Sequence, residues 1–169
     1  SKEQYIHIAS CSDDGDEFDD SVILHEYGHH VSFSLAQDDN PGGSHWVEWT
    51  VDPRMAWSEG FATFFGQSVL EDPVYIDATL WDALVYDLEG ASEMCPAKSY
   101  LGMEQDICEA LVGGVLWDIS DANADSNDTL SMGPDEVLDV LGNYLTPNGF
   151  EDRGVSGADF VDFLDGWFC

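Results

Sequence analysis

The sequence predicts an α+β fold: one mostly helical domain spanning residues 1–169, with a few short extended segments. Three observations predict it. A length of 169 residues suits a single hydrophobic core. Apolar residues recur at helical spacing in six stretches, whereas strand-like alternation is confined to two short ones. No internal repeat or low-complexity linker divides the chain.

In chain order, Tyr5 to Ala9 reads as a short strand, with Tyr5, Ile6 and Ile8 apolar. Ser10 to Asp20 is acidic and turn-like, and Asp19 or Asp20 is suited to cap a first helix. That helix carries Val22, Ile23, Leu24, Val31 and Leu35 and ends near Gln37. Asp38 to Ser44, rich in Asn, Pro and Gly, is a loop, and His45 to Val51 is extended. Pro53 precedes a second helix over about Arg54 to Leu70. Further helices are expected at Ile76 to Leu88, Met103 to Ile119, Pro134 to Tyr144 and Ser156 to Phe168.

The 35 Asp and Glu against 4 Lys and Arg leave a formal net charge of −31. Such a surface repels phosphate, so nucleic acid and anionic membrane are excluded as first partners. Disorder is excluded too, because 44% of residues are apolar and six are Trp, and these, among them Trp46, Trp49, Trp57 and Trp117, are assigned to the core. Asp outnumbers Glu 23 to 12 with almost no Lys, a balance resembling secreted proteins of saline surroundings. No apolar run is long enough to span a membrane, and Ser1-Lys2-Glu3 does not open a signal peptide, so a mature or excised domain is expected. Cys11, Cys95, Cys108 and Cys169 lack any CxxC pair and suit two disulfides, Cys95 with Cys108 and Cys11 with Cys169, in an oxidising, extracellular setting.

His25-Glu26-Tyr27-Gly28-His29 spells HExxH within the first helix. Residues four apart share a helix face, so both imidazoles can reach one ion, while Glu26, one step round, is placed to take a proton from water. A third ligand has to come from elsewhere. Glu48 follows His29 after eighteen residues and Glu59 after twenty-nine. Spacing favours Glu48. Context favours Glu59, set among Trp57, Phe61, Ala62, Phe64 and Phe65, where an unmet carboxylate would be costly.

HEYGHH followed by WSEGFATFF resembles the gluzincin zinc metallopeptidases, and the EGFAT string is similar to that of thermolysin-like enzymes and zinc aminopeptidases. The resemblance covers about forty residues, Val22 to Phe65. It implies a zincin-like domain with an active-site helix and a glutamate helix, His25, His29 and Glu59 as zinc ligands, and Glu26 as general base and acid. The chain departs from that pattern where thermolysin-type enzymes carry an Asp four residues beyond the glutamate ligand: Thr63 stands there. Tyr144, Tyr100 and His45 are the candidates to stabilise an oxyanion, each weighed against an ordinary packed or surface role, and Glu109 is a candidate to orient the site, against helix-end solvation. The Gly102-Met103-Glu104-Gln105 stretch follows the zinc helix instead of preceding it, and so is not assigned to substrate amino-terminus recognition.

Asp121, Asn123, Asp125 and Asn127 alternate oxygen ligands at calcium-loop spacing, against a solvated acidic turn as the alternative. The expected function is a secreted, monomeric zinc endopeptidase acting on peptide or protein substrates, with calcium as a second ion. An aminopeptidase of the same chemistry and a catalytically silent cation-binding or adhesive domain are the rivals.

Overall fold

Two helices crossing at a glycine position everything else. In the computed structural model, which describes residues 5–10, 13, 15–93, 98–99, 107–122 and 129–169, α1 (Asp20–Leu35) lies against α2 (Pro53–Leu70). A Cβ at Gly28 would stand 2.8 Å from the Ala62 Cα and 2.9 Å from its carbonyl oxygen, so only glycine allows this approach. Gly28→Ala is expected to force the helices apart and cost about 1–3 kcal/mol, read by urea unfolding. Unchanged stability would refute the close crossing.

Pro53 occupies the first turn of α2, and the Asp52 carboxylate accepts from the Arg54 backbone N–H at 3.0 Å to cap it. The helix is buried almost throughout from Met55 to Gln67 and forms the centre of the core. Trp57 stacks on Phe163 of α5 (Phe160–Phe168), ring centroids 5.1 Å apart. α3 (Glu109–Ser120) packs on the other side through Val112 and Leu116, and α4 (Pro134–Asn143) closes the core with Val137 and Leu141. At the end of α2, Gln67 Nε2 donates to the carbonyls of Asp72 at 2.8 Å and Val74 at 2.7 Å, turning the chain into a strand.

That strand corrects an expectation. Residues 76–88 form no α-helix: β2 (Val74–Ala78) and β3 (Ala83–Asp87) make an antiparallel hairpin in register Tyr75↔Tyr86 and Ile76↔Val85, and a short 3-10 turn begins at Leu88. Ile76, Leu80, Leu84 and Leu88 mimic a four-residue period, yet Tyr75 and Tyr86 are the buried pair, and β-branched and aromatic residues favour the pleated form. β1 (Trp49–Thr50) pairs in parallel with β4 (Lys98–Ser99), so the extended stretch from His45 shrinks to two paired residues.

Other expectations also change. Residues 5–10 pair with no strand among the described residues. Asp19 precedes α1 but gives its side chain to the Ala78 N–H, 2.7 Å away, instead of capping its own helix. α5 starts at Phe160 because Gly157 adopts φ 107° and Asp159 forms a capping box with Asp162. Trp57 and Trp117 are core residues as expected, but Trp46 is half exposed. Cys169 is a free, exposed thiol, so the Cys11–Cys169 bridge is not formed. Cys108 is buried at the start of α3, while Cys11 and Cys95 lie outside the described residues.

No helix among the described residues is long and apolar enough to cross a membrane. The acidic residues stand mostly on the surface, where mutual repulsion opposes compaction. The melting temperature is therefore expected to rise between dilute buffer and about 1 M NaCl, where the screening length falls to about 3 Å. A melting temperature that stays level would show that repulsion is not limiting.

Candidate metal centre

α1 and α2 bring three side chains to one point. His25 and His29, one turn apart on α1, face each other with Nε2 atoms 3.1 Å apart. Glu59 on α2 places Oε2 3.2 Å from His29 Nε2 and 3.3 Å from His25 Nε2. Ligands held tetrahedrally at 2.0–2.1 Å from zinc are about 3.3 Å from one another, so this triangle has the size of one face of such a shell. Glu59, not Glu48, is the acid in this cluster. Glu48 sits half-buried immediately before β1 and is not one of the converging groups.

Each donor is held from behind. His29 Nδ1 lies 3.3 Å from Ser58 Oγ, and Ser58 in turn donates to Asp38 Oδ2 at 3.1 Å. With its proton given to Asp38, the Ser58 oxygen accepts from His29 Nδ1–H, so Nε2 is the nitrogen that would give up its proton and offer a lone pair to an ion. His25 Nδ1 lies 2.9 Å from Thr63 Oγ1, and Thr63 also bonds the buried Tyr86. Thr63 thus fills the place where thermolysin-type enzymes carry an aspartate. The second Glu59 oxygen, Oε1, accepts from Asn40 Nδ2 at 3.0 Å. Two imidazole nitrogens and a carboxylate converging on one point make a donor set that fits a divalent cation.

The titration of the same groups reflects that crowding. Burial disfavours protonation of His29, but its hydrogen bond to Glu59 and the charges of Glu59, Glu26 and Asp38 outweigh it and raise its pKa above the ordinary value. Burial pushes Glu59 up, yet the hydrogen bonds from His25 and His29 hold its carboxyl well below the usual range.

Glu26 lines the same cleft, a depression of about 820 Å³ bordered also by Tyr5, Phe33, Asp38, Tyr75 and Asp77. No hydrogen bond ties its carboxylate among the described residues, and its charge bears on both His29 and His45. His45 reaches in from the loop before β1. Its Nδ1 is 2.8 Å from Glu109 Oε2 and its Nε2 is 3.8 Å from Glu59 Oε2. The Glu109 hydrogen bond raises the His45 pKa to about 9 against the pull of burial, so at neutral pH both ring nitrogens carry protons. Glu109, at the first turn of α3, is buried against this imidazole and not solvated at a helix end.

The remaining candidates separate. Tyr144 bonds Asp165 in a different groove, with Val140 and Trp167, and takes no part in this cleft. Tyr100, Asn123, Asp125 and Asn127 lie outside the described residues; Asp121 caps the end of α3. The calcium expectation falls on that same stretch. Thr63, Ser58, Asp38 and Asn40 were not read from sequence as parts of a site. Their signals were slight: Thr63 one turn past Glu59, Ser58 just before it, and two polar residues in an ordinary-looking loop. Thr63→Val is expected to weaken the binding of a divalent metal at this cluster about 10- to 100-fold, measured by chelator competition. An unaltered affinity would show that Thr63 does not orient His25.

Fold and centre together define a small α+β protein with a His, His, Glu cluster fit for a divalent metal. The chain belongs to the Mycolysin C-terminal domain family, whose model matches residues 1–157 and which is a domain of zinc metallopeptidases. An uncharacterized protein of Archaeoglobus fulgidus is 32% identical over 108 residues, covering 62% of this chain and 28% of that protein. The chain therefore spans less than a third of that relative's length. No solved structure matches it.

Proposed function

We propose that this domain is a zinc-dependent endopeptidase, with His25, His29 and Glu59 as the metal ligands and Glu26 as general base and acid. The observation that carries the reading is the triangle of donor atoms, 3.1 to 3.3 Å on a side, opening onto a cleft where a carboxylate stands untied. A bound zinc ion supplies Lewis acidity, lowering the pKa of a water toward about 7 and polarising the peptide carbonyl.

Glu26 accepts a proton from the attacking water as its oxygen bonds to the carbonyl carbon. It returns that proton to the amide nitrogen as the carbon–nitrogen bond breaks. His45, oriented by Glu109, presents Nε2–H toward the centre and donates to the carbonyl oxygen as charge builds there. Tyr75, buried beside His25 with ring centroids 6.1 Å apart, walls the cleft, and burial keeps its phenol neutral. A recess of about 220 Å³ opens beside His25 and His45 between Val47, Leu84 and Tyr86, sized to take one substrate side chain.

The acidic surface supports a secreted protein working in salt, free of nucleic acid and membrane. The test is hydrolysis of internally quenched peptides against aminoacyl chromogens, with and without a chelator. Chelator-sensitive cleavage within the quenched peptides is the expected result. Cleavage of aminoacyl substrates alone would make the enzyme an aminopeptidase. No chelator-sensitive hydrolysis would leave a silent cation-binding domain.

A further inference from the structure

Beside the first cluster, a second set of donors converges. His45, Glu59 and Glu109 each place a ligand atom within 4.8 Å of the other two. Glu59 and Glu109 are 8% and 7% exposed, whereas the His45 side chain is 34% exposed, so an ion has a route in from the cleft and buried carboxylates to meet. Two buried carboxylates this close need a cation between or beside them. In the protein as it stands, the His45 ring is the group that meets them, 2.8 Å from Glu109 and 3.8 Å from Glu59.

We propose that His45, Glu109 and Glu59 form a second, weaker divalent-metal site that shares Glu59 with the first. This rests on the first cluster being the catalytic metal centre. One imidazole with two carboxylates suits zinc and similar ions. The balance is an exchange: a divalent ion enters and the proton between His45 and Glu109 leaves. The His45 to Glu109 distance of 2.8 Å has to open toward the roughly 3.3 Å that two zinc ligands need. Glu59 has either to bridge through Oε2 or to give up the Asn40 hydrogen bond at Oε1. Both demands make the second site weaker than the first.

The experiment is calorimetric titration of the whole chain, stripped of metal, with zinc chloride alone, in about 0.5 M NaCl to screen the acidic surface. A tight event followed by one at least about 10-fold weaker is expected. Glu109→Gln and the more exposed His45→Asn are each expected to delete the weaker event and keep the tight one, and His29→Ala to delete the tight one. A single event in the wild type, or a weaker event unchanged in both variants, overturns the second site while leaving the first intact. Absence of the tight event overturns the reading beneath it.

Discussion

Replacing Glu26 with Gln is expected to leave zinc content unchanged and to lower peptide hydrolysis by about 10²- to 10⁴-fold, the range that a positioned general base and acid supplies. The reasoning is geometric. Glu26 lies between His25 and His29 on α1 and lines the cleft, yet it is not one of the groups that converge with Glu59. An amide has nearly the same shape but accepts no proton. Metal content by atomic emission and kcat on a quenched peptide give the two readings. Hydrolysis at the wild-type rate would remove Glu26 from the chemistry, and loss of zinc would move it among the ligands.

The second large effect separates the two acids that sequence spacing set in competition. Glu59→Ala is expected to lower zinc affinity by well over 10²-fold, since it removes a ligand where disturbing a mere outer partner already costs about 10- to 100-fold. It also removes the one carboxylate that meets the Nε2 atoms of both His25 and His29 among the described residues. Glu48→Ala, at a half-buried position outside the cluster, is expected to bind zinc as the wild type does. The reverse pattern would mean that the two helices meet differently from the crossing at Gly28.

Much of this centre was legible because helical period and ligand chemistry are both local. HExxH places two imidazoles on one face whatever surrounds it, and an acid embedded in an apolar helix declares that something has to meet it. The outer partners were illegible because they depend on how distant segments close. Ser58 orients His29 only because α2 crosses α1 where Gly28 lets it. Asn40 reaches Glu59 only because the loop from Asp38 folds back over that carboxylate. Tyr75 and Tyr86 escaped notice because leucines spaced by four imitate a helix, and the hairpin is decided by the pairing of those two aromatics. His45 and Glu109 were visible as residues but not as a pair, since sixty-four positions separate them.

The most direct test of the central claim is a crystal grown in zinc-containing buffer and measured on both sides of the zinc absorption edge. The account predicts one strong anomalous peak about 2.0–2.1 Å from His25 Nε2, His29 Nε2 and a Glu59 oxygen. Zinc bound only at surface carboxylates, with those three side chains turned away from one another, would contradict it.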